Sequence, residues 1–186
     1  MYNKGILLDR DGVLIENRED YVKNIGEVRI LPGVKEAIAS LWAKNYTVCI
    51  VTNQSGVSKG LYTEDDVQQV HRYIEEQLTL EVSGPIHWYY CPHQDSDNCT
   101  CRKPKPGLLQ MAIRDHKFDS EATWMVGDNI RDIEAGRALN CPTCLVLTGL
   151  GKNFYGPQMS LVPQKVCCDL YEFVQQILIE EEEESL

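Results

Sequence analysis

Residues 6–13 read ILLDRDGV, and this stretch decides the fold that the rest of the chain must share. Ile6 to Leu8 form a short apolar run, which is typical of a buried strand. Asp9 and Asp11 follow at once, and residues two apart on an extended segment point to the same side. Two neighbouring carboxylates repel each other unless a cation or a shared proton lies between them. The segment therefore predicts either a reactive site at a strand end or, since Asp-Gly is a common turn dipeptide, a simple turn.

The rest of the chain alternates short apolar runs with amphipathic segments. Alternating strands and helices predict an α/β fold, in which a doubly wound parallel sheet of Rossmann type is covered by helices on both faces. Thr63 and Asp66 resemble a capping box at the start of one helix. The predicted strands cover residues 6–8, 48–51, 86–90, 123–126 and 143–147, and the predicted helices cover 34–42, 63–78, 106–113, 130–139 and 170–178.

Polar clusters follow the apolar runs along the chain. Residues 52–56 read TNQSG, and the hydroxyl and amide groups there can donate to phosphoryl oxygens. Asp128 follows the fourth strand and adds a carboxylate of the kind that Mg²⁺ prefers. Arg102 and Lys103 precede a helix start, an arrangement that suits a phosphate anion. Because sites in parallel sheets lie beyond the carboxyl ends of the strands, we expect these groups to meet at one edge.

Four motifs occur in a fixed order: Asp9-x-Asp11-Gly-Val, Thr52-Asn, Lys103-Pro and Gly127-Asp128-x-x-x-Asp132. Together they resemble the motifs of the haloacid dehalogenase (HAD) superfamily of phosphatases, over residues 5 to 150. The resemblance implies a HAD-like fold, Mg²⁺ as cofactor and an aspartyl-phosphate intermediate. Phosphoryl transfer of this kind depends mostly on positioning and charge neutralisation.

The resemblance also implies a role for each matching position. Asp9 is the expected nucleophile, and Asp11 is expected to protonate the leaving group and then activate water. Thr52 is expected to hold the phosphoryl oxygens, and Lys103 to balance the charge. The expected Mg²⁺ ligands are Asp9, Asp11 through its backbone carbonyl, and Asp128.

A second constellation consists of Cys91, His93, Cys99 and Cys101. Three thiolates and an imidazole suit a closed, tetrahedral Zn²⁺ site with a structural role. The residues between them, 94–98, read QDSDN and are too polar to fold on a core, so a bound metal gives the loop a reason to be ordered. The loop ends directly before Arg102, so the metal is expected to fix the basic pair.

The zinc loop narrows the resemblance to the branch of histidinol-phosphate and heptose bisphosphate phosphatases. Residues 52–60, TNQSGVSKG, and residues 102–107, RKPKPG, are similar to the heptose type, although Lys59 stands where that type has Arg. The resemblance implies removal of the C7 phosphate of D-glycero-D-manno-heptose 1,7-bisphosphate, in the synthesis of ADP-heptose and lipopolysaccharide core precursors. The substrate-binding residues that it implies are Asn17, Asp20, Asn53, Gln54, Ser55, Arg102 and Asn129.

Length and charge limit the remaining possibilities. A chain of 186 residues leaves room for one domain, expected over 1–179, without a large cap. The net charge of −10 argues against a nucleic-acid partner. No apolar run approaches the ~18 residues of a membrane span, and the charged residues 9–11 argue against a signal peptide, so we expect a cytoplasmic protein. The acidic tail, 180–186, is expected to be solvated and partly disordered.

Alternatives to the main hypothesis remain open at this point. The expected partner is a small-molecule sugar bisphosphate, acted on by a monomeric enzyme. A histidinol-phosphate phosphatase is the nearest alternative enzyme. From another class, the chain could be a non-catalytic, zinc-stabilised interaction module, although such a module has no use for three converging carboxylates.

Overall fold

The computed structural model describes residues 4–79, 84–157, 159 and 161–184. Its strands are β1 (Gly5–Leu8), β2 (Thr47–Asn53), β3 (Ile86–Cys91), β4 (Trp124–Gly127), β5 (Thr143–Val146) and β6 (Lys165–Cys167). Within the described residues these six strands form one sheet in the order β3-β2-β1-β4-β5-β6. Every neighbouring pair is parallel, which confirms the predicted doubly wound α/β fold.

Helices connect the strands. They are α1 (Val34–Ala43), α2 (Glu64–Thr79), α3 (Gly107–His116), α4 (Ile130–Arg137), α5 (Gly151–Phe154) and α6 (Leu170–Glu184). The predicted capping box is present, because the Thr63 backbone N–H donates to the Asp66 carboxylate at 2.8 Å and the Asp66 N–H donates to the Thr63 hydroxyl at 3.2 Å. No helix within the described ranges is both long enough and apolar enough to cross a membrane.

Strand β1 lies at the centre of the sheet and is covered on both faces. Ile6 and Leu8 belong to a core cluster that includes Phe173 of α6, whereas Leu7 points to a second cluster with Leu109 of α3. All three β1 side chains are fully buried. Burying an aliphatic side chain of this size contributes ~1.5–3 kcal/mol, so the apolar run fixes the strand firmly in place.

The order of strands changes direction at β1. The chain proceeds from β1 to β2 and β3 on one side, and from β4 to β5 and β6 on the other. A crevice therefore opens beyond the carboxyl ends of β1 and β4. The backbone N–H of Asp9 donates to the carbonyl of Val126 at 2.9 Å, and Asp128 follows β4 directly.

Two short elements lie outside the predicted pattern. Strand β6 has three residues, and Lys165 and Val166 in it are only half-buried. Helix α5 has four residues, a single turn. Both are too short to produce a hydrophobic period that a sequence could reveal.

The acidic end of the chain corrects one prediction. Helix α6 continues to Glu184, so the glutamates from 180 to 184 form its last turns and are not a partly disordered tail. Glu182 accepts from Lys44 at 2.7 Å and Glu181 from Lys4 at 2.8 Å. These lysines offset the repulsion among carboxylates at a helix C-terminus. The last two tail positions, 185–186, lie outside the described residues.

Candidate active site

A cavity of about 310 Å³ opens at the carboxyl edge of the sheet, where β1 and β4 end. It is lined by most of the predicted site residues together with several that the sequence did not single out. The predicted residues along its wall are Asp9, Asp11, Asn17, Thr52, Asn53, Gln54, Ser55, Arg102, Lys103, Asp128 and Asn129. Groups from four separate segments of the chain therefore meet in one crevice, as the motif order predicts.

Lys103 forms the floor of the cavity. Its Nζ lies 2.9 Å from Asp9 Oδ1 and 2.6 Å from Asp132 Oδ1, and it donates to the Val51 carbonyl at 2.6 Å. Only 2% of this side chain is exposed. Burial alone would lower the pKa of the ammonium, but the charges of Asp132 and Asp9 outweigh burial and raise that pKa. Lys103 is therefore a fixed positive charge beside the expected nucleophile.

Asn53 positions Lys103. Its Nδ2 donates to the Lys103 carbonyl at 3.0 Å, and its Oδ1 accepts from the Lys103 backbone N–H at 3.0 Å. Both ends of the amide are thus engaged with the backbone of one residue. The sequence predicts Asn53 as a substrate-binding residue, whereas these contacts indicate that it clamps the loop carrying the lysine.

Asp9, Asp128 and Asp132 form a carboxylate cluster whose oxygens lie within 4.8 Å of one another. Burial, followed by the charges of Asp9 and Asp132, raises the pKa of Asp128 to about 8. Gly12 and Gly149 pass so close that a Cβ on either would lie 2.1 Å from Asp128 Oδ2. The fold thus packs backbone around a carboxylate that needs a cation, and this donor set suits Mg²⁺.

The side chain of Asp11 lies apart from the carboxylate cluster. Arg10 donates to it from Nε at 3.1 Å, and Gln54 donates to it from Nε2 at 3.0 Å. The same Gln54 Nε2 lies 2.9 Å from the Thr52 hydroxyl, and Tyr62 donates to Gln54 Oε1 at 2.9 Å. This network holds the Asp11 carboxylate, the expected acid and base, at the cavity wall and away from the carboxylate cluster. Only the backbone carbonyl of Asp11 is then left to bind the cation.

The segment after β1 forms one side of the mouth. Asn17 lines the cavity, but among the described residues the lining does not include Asp20, which faces Arg18 and Lys23. Tyr21 adopts a left-handed backbone conformation, with φ of 67°, that is uncommon for a bulky residue. Its hydroxyl lies 2.6 Å from the Nζ of Lys59, which ties the two loops of the mouth together.

The four predicted zinc ligands form the Cys/His cluster at the end of β3. The Sγ atom of Cys101 lies 3.1 Å from that of Cys91 and 3.5 Å from that of Cys99, and 3.4 Å from His93 Nδ1. A tetrahedral Zn²⁺ separates such ligand atoms by roughly 3.5–3.8 Å. Burial raises the pKa of Cys91 and of Cys101, whereas at Cys99 the backbone N–H of Arg102 outweighs burial and lowers the pKa to about 7. A thiolate is the form that binds metal.

Arg102 connects the Cys/His cluster to the cavity. Its Nη1 donates to the His93 carbonyl at 3.2 Å and its Nε to the Asp95 carboxylate at 2.9 Å. Arg131 donates to the same carboxylate at 3.0 Å. The zinc loop therefore holds two guanidinium groups at the cavity mouth.

The sequence did not single out several residues that line or support the cavity, among them Arg10, Tyr62 and Arg131. Arg10 is only 1% exposed, which is rare for arginine, and no local pattern could predict that burial. Arg131 occupies a variable position inside the last motif. Its place one turn after Asp128 was the one signal that could have drawn attention to it.

Comparisons with known proteins agree with this geometry. The family model of HAD-hydrolase-like proteins matches residues 100–173. The D-glycero-beta-D-manno-heptose-1,7-bisphosphate 7-phosphatase of Neisseria meningitidis is 38% identical over 180 residues, covering 95% of this chain and 96% of that protein. The chain belongs to this family of HAD-like phosphatases. The enzyme of the same name from Pseudomonas aeruginosa, 41% identical over 152 residues, covers 81% of this chain and is itself covered to 85%.

A solved structure of the family supports the same assignment. The D,D-heptose 1,7-bisphosphate phosphatase from B. bronchiseptica, crystallised with magnesium and phosphate, superposes with a TM-score of 0.91 at 35% identity. The match covers 95% of this chain and 99% of that one. The family match agrees with the resemblance that the four motifs and the zinc loop carry.

Proposed function

We propose that this chain is a phosphatase that removes the C7 phosphate of D-glycero-D-manno-heptose 1,7-bisphosphate through an aspartyl-phosphate intermediate. The observation that carries the proposal is Asp9, which lies in the cavity with one carboxylate oxygen bound to the buried Lys103. The substrate is inferred from the names of the family relatives. The reaction would belong to ADP-heptose and lipopolysaccharide core precursor synthesis. The expected sugar bisphosphate is a small-molecule partner.

The proposed chemistry begins at Asp9. One of its oxygens attacks phosphorus and the bond to the sugar C7 oxygen breaks, while Asp11 gives its proton to that departing oxygen. Water then attacks the aspartyl-phosphate, Asp11 takes a proton from the water, and Asp9 is released with inorganic phosphate. Arg10 and Gln54 hold the Asp11 carboxylate at the wall where this proton exchange occurs.

Two groups stabilise the charge that develops on the transferred phosphoryl group. Lys103 supplies a preorganised positive charge in a site with little solvent, where electrostatic stabilisation is strongest. Thr52 is 1% exposed and would hold the phosphoryl oxygens through its hydroxyl. Asn53 acts through Lys103, because its amide fixes the backbone of that residue.

The carboxylate cluster is the proposed site for Mg²⁺, with Asp9, Asp128 and the backbone carbonyl of Asp11 as ligands. When bound, Mg²⁺ would neutralise phosphoryl oxygens and orient them for in-line attack. Asp132 is already paired with Lys103 at 2.6 Å and would orient that lysine. The Cys/His cluster would hold Zn²⁺ through all four side chains, which leaves no open position for chemistry.

The mouth of the cavity is the proposed binding site for the sugar. Asn17, Ser55, Arg102 and Asn129 line the wall, and we retain Asp20 as a proposed contact although it faces Arg18 and Lys23. A terminal CH₂–O–phosphate can reach the floor while the ring stays at the mouth. This geometry favours cleavage at C7 over cleavage at C1.

We further propose that residues 1–179 form a single domain and that the enzyme is a cytoplasmic monomer with no nucleic-acid partner. The continuous sheet from β1 to β6 supports one domain, and the net charge of −10 disfavours binding to phosphate backbones. Light scattering after gel filtration tests the monomer. A mass of twice 21.2 kDa would contradict it.

A phosphate-release screen tests the function. The purified enzyme is given Mg²⁺ and, in turn, the heptose bisphosphate, fructose 1,6-bisphosphate and histidinol phosphate, with Asp9→Asn as the background control. We expect the highest kcat/KM for the heptose bisphosphate, and phosphorus NMR should show a product that keeps its C1 phosphate. A preference for histidinol phosphate, or a product that keeps its C7 phosphate, would reject the proposal.

A further inference from the structure

Arg131 lines the cavity although nothing in the proposed chemistry uses it. It stands in the first turn of α4, two residues after the N-cap residue Asn129, whose side chain accepts from the Arg131 backbone N–H at 3.1 Å. A cation at a helix N-terminus is unfavourable for the helix, because the macrodipole is positive there. Arg131 is therefore poorly placed to stabilise α4 and well placed to add positive charge to the cavity.

Arg131 is held in position from outside its own helix. Its Nη1 and Nη2 lie 3.0 Å and 3.4 Å from the two oxygens of Asp95, on the zinc loop. The Nε of Arg102 lies 2.9 Å from the same carboxylate. A guanidinium carries five N–H donors, so each arginine keeps donors beyond those that Asp95 occupies. One acceptor thus fixes two cations side by side.

The cations of the cavity lie at different depths. Lys103 is 2% exposed on the floor, Arg102 is 15% exposed, and Arg131 is 39% exposed at the mouth. A substrate with one phosphate needs only the floor. A substrate with two phosphates needs a second cationic position away from the reacting centre, and the arginine pair provides it.

We propose that Arg131 is a specificity-determining residue that binds, together with Arg102, the phosphate that stays on the substrate. Asp95 is the positioning residue that sets the two guanidinium groups. This inference rests on the proposed function only in requiring a bisphosphorylated sugar. Arg131 would present a planar, two-pronged donor set to phosphate, which a lysine cannot reproduce.

The test measures selectivity between substrates. For wild type, Arg131→Gln, Arg131→Lys and the control Arg137→Gln, kcat/KM is measured with heptose 1,7-bisphosphate and heptose 7-phosphate, and with fructose 1,6-bisphosphate and fructose 6-phosphate. Arg137 is on the same helix but donates to the carbonyl of Val162, and it is not among the described residues that line the cavity. In each pair, kcat/KM for the bisphosphate divided by kcat/KM for the monophosphate measures how much the second phosphate contributes to catalysis.

We expect Arg131→Gln to lower that ratio by roughly 10- to 100-fold, as for a lost charge-assisted contact, with Arg131→Lys in between and Arg137→Gln unchanged. An unchanged ratio in Arg131→Gln, equal losses on both members of a pair, or a wild type without preference for bisphosphates would each overturn the inference. A wild type that prefers the fructose pair would reject the heptose substrate, while the ratio in that pair would still decide the role of Arg131.

Discussion

The carboxylate cluster and the Cys/His cluster place metal ligands within one molecule by opposite means. The first gathers Asp9 after β1, Asp128 after β4 and Asp132 from the first turn of α4, and all three line the cavity. The second takes its ligands from a single loop at the end of β3, and only Cys91 in it is fully buried. A site of the first kind is assembled by folding of the core, whereas a site of the second kind depends on the metal for its order.

The largest expected effect comes from a substitution in the carboxylate cluster that abolishes the reaction but leaves the folded structure intact. Asp9→Asn should lower kcat by at least ~10⁴-fold, because an amide cannot serve as the attacking carboxylate. The melting temperature should stay near that of wild type, since Lys103 keeps Asp132 as a partner. Asp65→Asn, at an exposed carboxylate on α2 outside the described lining of the cavity, is the matched control. Residual activity within about tenfold of wild type would remove Asp9 from its proposed role.

The next test breaks the charge balance on which the carboxylate cluster depends. Lys103→Met leaves two carboxylates facing each other in a buried site without their cation. Breaking a buried pair in this way commonly costs ~3–5 kcal/mol in the free energy of unfolding. Urea denaturation of this variant should therefore differ clearly from that of Lys105→Met, at an exposed lysine two residues away. Similar free energies of unfolding for the two variants would contradict the importance of the buried charges.

A substitution in the Cys/His cluster should change zinc content and catalysis more than the free energy of unfolding. Cys99→Ser should reduce bound zinc below the expected value of about one per chain and lower kcat/KM for the bisphosphate by roughly tenfold. The reason is that Arg102 follows the cluster and donates to the His93 carbonyl. Elemental analysis and kinetics check this, with Cys168→Ser at an exposed cysteine as the control. Wild-type protein that holds no zinc after purification without chelator would overturn the assignment.

His71 is a buried histidine that carries no charge, and it provides a test of the buried core that does not involve either cluster. His71 stacks on Trp88 with ring centroids 4.0 Å apart, and burial, with a smaller contribution from Arg10, lowers its pKa to about 2. Below pH ~6.5 the histidine takes up a proton in the unfolded chain but stays neutral in the folded protein. The free energy of unfolding is therefore unaffected above that pH and decreases as the pH falls. The decrease amounts to ~2 kcal/mol at pH 5.

His71→Phe should therefore flatten the dependence of the free energy of unfolding on pH. The measurement is urea denaturation at pH 7.5 and at pH 5, where the difference between the two values should shrink relative to wild type. His87→Phe is the control, because His87 is less buried and its pKa is lowered less. An unchanged pH dependence in His71→Phe would mean that the imidazole is not held neutral in the folded protein.

The same contrast explains what the sequence could predict. The apolar run Ile6–Leu8, the strand–helix alternation and the four motifs fixed the sheet, because burial on both faces leaves a clear signal. The Cys/His cluster was predictable because all of its ligands lie in one loop. The clamp of Asn53 on Lys103 was not, since it depends on how two segments fifty residues apart meet in three dimensions.

Other misses have local physical reasons. Arginine is usually exposed, so the burial of Arg10 between two aspartates follows from packing that only the fold creates. The run of glutamates at the end of α6 has the composition of a disordered tail. The run is helical because the earlier turns of α6 bury Phe173 and Val174, and because lysines such as Lys44 form ion pairs with its carboxylates.

The central position of β1 also has a consequence for how the molecule opens. Hydrogen bonds in a buried central strand break only in global unfolding, whereas exposed loops open at far lower free energies. Amides of residues 6–9 should therefore be among the slowest to exchange with deuterium, and those around Tyr21 and Asp95 much faster. The proposed nucleophile, Asp9, would then follow a strand that opens only in global unfolding, and the residues proposed to select the sugar would lie on loops that open more readily. Variation can then explore new substrates at the mouth without disturbing the chemistry beneath it.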